Sequence, residues 1–371
     1  MKIRILSLVI VFLCFFPPSV SAAQEQASDE IFKAKVVEIL ENNKIVHDDG
    51  SVSIQQKMKL RGLDGNWNDQ EIIFDGTQFD VLSASEYGVG DKVLVSHSLR
   101  PDGQSDFYIV GFSRSPALYW LGVLFAFVVL VVGRLKGARS LVVLFLTFFI
   151  ILKFIIPKIL AGASPLFISI VGSFLILILA IYITEGFKKT STVAIFSILI
   201  SLILTGLLST YFSTLTRLTG FASEEAMYLV GLQGGFINVK GLLLAGIIIG
   251  ALGVLDDVAI SQVMLVKELK LSNPDSSNYQ IYVQAMRVGI SHLSSMVNTL
   301  FLAYAGVSLP LLILFSLKQP PFLTFGQIID NEMVATEIVR ALVGSIGLIL
   351  AVPITTFLAS YFIKHQKSSS N

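Results

Sequence analysis

Residues 241–270, GLLLAGIIIGALGVLDDVAISQVMLVKELK, form an apolar run that is long enough to cross a bilayer and that contains two adjacent carboxylates. An aspartate at the centre of a membrane helix costs roughly 2.5–3.5 kcal/mol on insertion scales. Asp256 and Asp257 therefore predict a functional polar site within a span. A competing interpretation puts the pair at the cytosolic membrane edge, where it ends the span. The apolar run, however, resumes after the pair and continues to Val266.

Small residues share one helical face with Asp257. At spacings of three and four, that face contains Gly246, Gly250, Gly253, Asp257 and Ser261. Gly246 and Gly250 form a GxxxG pair, which permits close helix packing in membranes. The spacing predicts that Asp257 faces protein rather than lipid and is the better placed of the two aspartates.

A second concentration of polar residues lies in residues 284–299, QAMRVGISHLSSMVNT. One helical stripe contains Gln284, Arg287, Ser291, Ser294 and Asn298, with His292 on the adjoining stripe. Histidine titrates near neutrality, so this segment and the aspartate pair suit a proton or ion relay between two helices. The candidates for that relay are Asp256, Asp257, Arg287, His292 and Asn298. A purely structural polar seam also explains the pattern.

The last apolar segment begins with two charged residues and continues with small ones. Glu337 and Arg340 are expected to form an i,i+3 ion pair. Gly344 and Gly347 recur at helical spacing and predict close contact with another helix. The helix-packing candidates are thus Gly246, Gly250, Gly253, Gly344 and Gly347.

The composition is typical of a polytopic membrane protein whose main partner is the lipid bilayer. The 371-residue chain is 54% hydrophobic and 14% charged, and its net charge of +1 indicates no nucleic-acid partner. Residues 1–23 have the basic start, apolar core and small-residue end of a signal peptide, with an uncleaved anchor as the alternative. The single cysteine, Cys14, lies there, so we expect no disulfide in the mature chain.

Residues 24–113 predict a small extracytoplasmic β domain. Segments with strand-like composition occur at 32–39, 53–60, 71–74, 92–95 and 106–112, and Asp-Gly or Gly-Asp turns punctuate the region. Five or six short strands favour a small barrel or sandwich, with the OB type as one form.

Residues 114–371 predict an all-α polytopic bundle of about seven membrane-spanning helices. The expected spans are 116–133, 140–160, 164–184, 191–212, 241–266, 284–317 and 335–363. The distribution of lysine and arginine puts the β domain outside and the C-terminus in the cytoplasm. Residues 284–317 are long enough for two spans. Because two spans would put the basic C-terminal tail outside, one long helix kinked near Pro310 is preferred.

The sequence contains no familiar enzyme motif. It has no His-Glu-x-x-His zinc motif, no Gly-x-Ser-x-Gly elbow and no Walker A loop. An intramembrane aspartyl protease needs carboxylates on two helices, whereas Asp256 and Asp257 are neighbours on one. We therefore expect no enzyme activity, no metal and no cofactor.

Two stretches resemble the YibE/F family of bacterial membrane proteins, namely GVLDDVAISQ (253–262) and SHLSSMVNTLFLAYAGVSLPLL (291–312). The resemblance implies a multi-pass protein of the bacterial cell membrane that is thought to transport something. The expected protein partner is a second copy of the chain or a second YibE/F-type membrane subunit. The Asp-Asp pair and the Gly-rich last span are also similar to the membrane cores of RND-type permeases and SecD/SecF, where a carboxylate at this position lies on a proton path. The chain departs from them because its β domain precedes the spans.

The leading hypothesis is a permease or transporter component that is coupled to protons or another ion through Asp256 and Asp257. The rival is a non-transporting accessory of secretion or envelope assembly whose β domain binds a partner. The sequence names no substrate.

Overall fold

The computed structural model describes residues 30–47, 52–77, 86–99, 105–222, 224–232, 237–318, 320 and 322–363. The expected signal peptide, the turns at 49–50 and 102–103 and the basic C-terminal tail lie outside the described residues. The described chain divides into two compact units. The sheet unit contains the β-strands and continues into the first long helix as far as Val128, and the helical unit contains the rest of the helices.

The sheet unit contains an antiparallel strand at each of the five segments expected from the sequence. The strands are β1 (Glu30–Val46), β2 (Val52–Gly62), β3 (Glu71–Asp75), β4 (Lys92–Leu99) and β5 (Ser105–Phe112). Their order across the sheet is β3-β2-β1-β4-β5, so the long β1 is central. In place of the expected barrel or sandwich, the described strands form a half-barrel with β3 and β5 at its edges.

Alternation of apolar and polar residues gives β1 one buried face. Phe32, Ala34 and Val36 are buried, while Lys33 and Lys35 between them are exposed. Successive side chains of a strand point to opposite faces, so this sequence places the apolar set on one side. The side chains from β2 and β4 that complete the core are Met58, Leu60, Val93 and Val95.

The helical unit is organised around the helix that contains residues 241–270. The helices are α1 (Ser115–Ile150), continued by a π-helical turn (Ile151–Ile155) and α2 (Ile156–Leu160), then α3 (Pro165–Thr184), α4 (Lys189–Leu215), α5 (Glu224–Leu232), α6 (Val239–Ser272), α7 (Asn278–Val307), α8 (Leu309–Ser316), α9 (Phe325–Asp330) and α10 (Glu332–Phe362). The central α6 packs against α3, α4, α7 and α10.

The expected number of about seven spans is not confirmed. Among the described residues, five helical stretches are long and apolar enough to cross a bilayer, or six if the bent pair α7 and α8 counts as one span. When the bent pair is counted as one span, the remaining difference arises at Ser115–Leu160, a 46-residue stretch in which the sequence indicates two spans. Its backbone leaves helical geometry at Arg134 (φ 50°, ψ −128°). Just beyond this break, the carbonyl of Val129 lies so close to Gly137 that no side chain would fit there.

The bend expected near Pro310 is present. α7 ends at Val307, and α8 continues from Leu309 at an angle of 69°. Pro310 occupies the first turn of α8. Proline is accommodated there because its missing N–H has no intrahelical partner at that position.

α4 and α10 come close together because both present small residues. A Cβ built at Gly347 of α10 would overlap the hydroxyl of Thr205 on α4. The buried face of α4 has a hydroxylated residue at every fourth position: Ser197, Ser201, Thr205, Ser209 and Ser213. The hydroxyls of Ser201 and Thr205 donate to carbonyls four residues earlier, at 2.9 and 2.8 Å. These two hydroxyls are therefore satisfied within their own helix.

Replacing Gly347 by valine is expected to destabilise the chain, because the new side chain must displace Thr205 and separate α4 from α10. Overpacking of this kind costs about 1–3 kcal/mol, which thermal unfolding in detergent measures as a lower midpoint. Gly306→Val on α7 is the matched control, since nothing lies within 4 Å of a Cβ built at Gly306. Equal midpoints for the two variants would show that the contact between α4 and α10 does not depend on Gly347.

Candidate polar site on the central helix

The two aspartates lie midway along α6 and occupy different environments. Asp256 is half-buried, and its Oδ1 is enclosed without a hydrogen-bond partner among the described residues. Asp257 is exposed. A buried polar atom that lacks a partner costs roughly 1–3 kcal/mol. Asp256 is thus a position at which the described chain is not optimised for stability.

This placement differs from the expectation that Asp257 faces protein and is the better enclosed aspartate. The face of α6 with Asp257 is exposed along its length, at Gly246, Gly250, Gly253, Asp257 and Ser261. The reason lies on the opposite face, where Ile248, Leu252 and Leu255 are buried in the core of the bundle. Large side chains make many more van der Waals contacts than glycine, so the large-residue face forms the interior.

One contact does use small residues of α6 and α10 together. The Tyr304 hydroxyl of α7 lies 3.6 Å from a Cβ built at Gly250 and 3.9 Å from one built at Gly344. These glycines leave room for the tyrosine side chain between their helices. Gly246 and Gly253 have nothing within 4 Å of a built Cβ, so they make no close packing contact within the described chain.

The polar stripe predicted on α7 lies on the outer side of that helix. The exposed residues are Gln284, Arg287, Ser291, His292, Ser294 and Asn298. Ile281, Ala285 and Gly289 are the buried residues of α7. In the part of the chain that the structure describes, no hydrogen bond or ion pair joins the α7 candidates to either aspartate. A single chain therefore presents two exposed polar faces on adjacent helices, rather than one buried cluster.

Gln262 is a buried polar residue of α6 that the sequence reasoning did not single out. Its Nε2 donates to the carbonyl of Ala285 on α7 at 3.0 Å and to Thr356 Oγ1 on α10 at 2.8 Å. A Cβ built at Gly289 would lie 2.8 Å from that same Nε2. The glycine therefore allows α7 to lie against Gln262, and the amide joins three helices.

Lys270 is the second residue that sequence reasoning missed. It is 2% exposed, near the end of α6. Its Nζ donates to Asn278 Oδ1 at 2.8 Å and to the carbonyls of Ser360 and Ile363 at 2.5 and 2.7 Å. Those carbonyls lie at the C-terminal end of α10, where the helix dipole favours a cation. All three donors of the ammonium are used, so Lys270 ties the end of α6 to the end of α10 and the start of α7.

Charged side chains also fix the other end of α10. Glu332 accepts hydrogen bonds from the backbone N–H groups of Thr219 and Gly220, at 2.6 and 3.0 Å. The expected ion pair joins Arg340 Nη1 to Glu337 Oε1 at 3.3 Å.

In the described ranges, no three His, Cys, Asp or Glu side chains are grouped as ligands for a metal ion.

The long apolar helices define the class of this chain, which is a multi-pass membrane protein. The family model of the YibE/F-like proteins matches residues 121–365, about two thirds of the sequence, and the chain belongs to that family. Both stretches that suggested the resemblance lie inside the match, so this prediction is confirmed. No curated protein and no solved structure matches the chain. The similarity to RND-type permeases and SecD/SecF stays a prediction.

Lys270→Met is expected to destabilise the helical unit. Methionine has a similar length, but it leaves Asn278 Oδ1 and the carbonyls of Ser360 and Ile363 without this donor. Loss of hydrogen bonds to a charged group costs about 1.5–3 kcal/mol, and thermal unfolding in detergent measures it. Lys267→Met is the control, since Lys267 is one turn earlier and less buried. If both variants unfold at the wild-type temperature, Lys270 does not hold the helix ends together.

Proposed function

We propose that this protein is the membrane component of a permease that is coupled to protons or another ion through Asp256 and Asp257. The observation that supports this most directly is the environment of Asp256, whose enclosed Oδ1 lacks a partner among the described residues. A carboxylate in the middle of an apolar helix is costly, and an apolar residue would serve packing better. A purely structural role therefore accounts poorly for this residue.

Arg287, His292 and Asn298 complete the proposed path. They are exposed on α7, which packs beside α6. Hydrocarbon is a poor solvent for all three side chains, so their surroundings in the membrane must be a water-filled path or another protein chain. A neutral imidazole has one nitrogen that accepts a hydrogen bond, so His292 is the proposed proton acceptor for an aspartate of α6.

We further propose seven spans in the bacterial cell membrane, with residues 24–113 as an extracytoplasmic domain after a signal peptide (1–23), and residues 114–371 as the membrane domain. A straight 46-residue helix would measure roughly 69 Å, about twice the hydrocarbon thickness. The break at Arg134 supports division of Ser115–Leu160 into two spans. With seven spans, lysine and arginine placement favours a C-terminus in the cytoplasm.

The double variant Asp256→Asn, Asp257→Asn is expected to abolish ion uptake, because neither amide can bind and release a proton. Proteoliposomes with a trapped pH- or sodium-sensitive dye and an imposed potassium diffusion potential measure the flux. Glu268→Gln is the matched control, since Glu268 is an exposed carboxylate near the end of the same helix. Uptake by the double variant at the wild-type rate would overturn the coupling proposal.

We also propose that a second membrane chain, either a copy of this one or another YibE/F-type subunit, covers the exposed polar faces of α6 and α7. Asp257 and Arg287 have opposite charges and are both exposed on these adjacent helices. In a two-fold dimer, the aspartate of one copy meets the arginine of the other, and this contact occurs twice.

Arg287→Asp is expected to convert dimers into monomers, since it places like charges across the interface. Adding Asp257→Arg reverses both charges and is expected to restore the dimer. Native mass spectrometry from detergent measures the oligomeric state, and Glu268→Arg is the control for an exposed charge reversal on α6. A wild-type chain that is monomeric in lipid nanodiscs would contradict an interface between copies.

The alternative function is a non-transporting accessory of secretion or envelope assembly, whose β domain binds a partner. One observation favours it: the sheet unit has a buried core of its own, including Phe32, Met58 and Leu60. A domain with its own core can present a binding surface without help from the helices. An accessory needs no ion flux, so the proteoliposome measurement separates the two functions.

A further inference from the structure

A cavity of about 260 Å³ lies in the helical unit between α5, the start of α6 and the start of α10. None of the relay candidates lines it. Its polar wall is formed by Glu225, Thr336, Glu337 and Arg340, and its apolar wall includes Leu242 and Leu243. A concave apolar space with a few converging polar groups is the usual form of a small-molecule site.

Two hydrogen-bond donors at this cavity lack partners among the described residues. Arg340 uses Nη1 on Glu337, but its Nε is enclosed and makes no hydrogen bond. Thr336 is 6% exposed, and its Oγ1 is likewise enclosed without a partner. The two residues are one helical turn apart on α10, so they share a face. Both residues line the cavity, so a rotation of each side chain would turn its unused donor toward an acceptor group held there.

The charged residues around the cavity restrict the net charge of a ligand that could supply this acceptor. Glu337 already neutralises Arg340, and Glu225 of α5 adds a further carboxylate to the lining. The lining therefore has one more negative charge than positive charges, which disfavours a simple anion. A ligand that has an ammonium group as well as an acid group matches both the donors and the carboxylates.

We propose that this cavity binds a small zwitterion. Its acid group accepts from Thr336 and Arg340, its ammonium faces Glu225, and its apolar body lies against Leu242 and Leu243. The volume is just below the roughly 300–1,000 Å³ of sites for drug-sized ligands, which suits a molecule such as an apolar amino acid. The headgroup of an aminophospholipid has the same pair of charges. Binding here does not require that the chain transport an ion.

Titration calorimetry on the purified full chain in detergent tests the ligand class with four probes. L-leucine and a short-chain phosphatidylethanolamine have both charges, whereas 4-methylpentanoate and 3-methylbutylamine have one each. We expect saturable binding of leucine or of the lipid, and binding of the single-charge probes that is weaker by about tenfold or more. Which of the first two probes binds identifies the source of the ligand. Absence of saturable binding by both, or equal binding of a single-charge probe, overturns the proposal.

Two variants locate the site. Thr336→Val keeps the shape of the side chain but removes the hydroxyl, and Arg340→Lys keeps the charge but removes Nε. Each is expected to weaken binding by about tenfold, the effect of one hydrogen bond. Thr355→Val is the matched control, because Thr355 is also a buried threonine of α10 with no partner for Oγ1 in the described chain, yet it does not line the cavity. Unchanged binding in both test variants, or an equal loss in the control, shows that the ligand does not bind in this cavity.

Discussion

The hydrocarbon core of a bilayer contains no water, so each polar group of a membrane helix must find its hydrogen-bond partner inside the protein. In the described bundle, some short side chains meet this requirement within their own helix, as Ser201 and Thr205 do on α4. Because their hydroxyls are satisfied there, that face can lie directly against Gly347 of α10. Two longer side chains, Gln262 and Lys270, meet the requirement by reaching α7 and α10. The polar side chains of α6 therefore help to hold its neighbours in place.

Buried polar atoms without a hydrogen-bond partner are not equally strong evidence for a missing ligand or contact. A serine or threonine hydroxyl in a helix can rotate toward the carbonyl four residues earlier, so an unpartnered one, such as that of Thr336, indicates a ligand only when a second unpartnered group lies beside it. The Oδ1 of Asp256 and the Nε of Arg340 have no such local acceptor or donor, yet both are enclosed. They belong to separate places, the middle of α6 and the cavity at the start of α10. Each of these places therefore requires something beyond the contacts of the described chain.

Sequence reasoning found the elements more reliably than it found their buried faces. The alternation at Phe32, Ala34 and Val36 locates β1 because a strand with one buried face requires it. Helical spacing likewise groups Gly246, Gly250 and Gly253 on one face of α6. Small residues permit a close contact but do not require one, so the spacing could not show that this face is exposed.

Lys270 illustrates a different limit. Its spacing from Val263 and Val266, which are buried, places it on the interior face of α6. The spacing in the sequence is therefore a signal that Lys270 is buried. The carbonyls that it binds could not be foreseen, because Ser360 and Ile363 lie 90 and 93 residues away along the chain. Their proximity depends on how α10 crosses α6, which no local pattern specifies.

The adjacency of the two aspartates has a geometric consequence that neither residue has alone. Neighbouring residues on a helix are about 100° apart, so the pair points in two directions. Asp256 is turned toward the bundle, and Asp257 lies on the exposed glycine face, where a second helix can approach closely. Such an approach removes Asp257 from lipid only if the approaching helix also supplies a donor or a cation. One carboxylate thus belongs to the interior of this chain, and the other to its exposed surface.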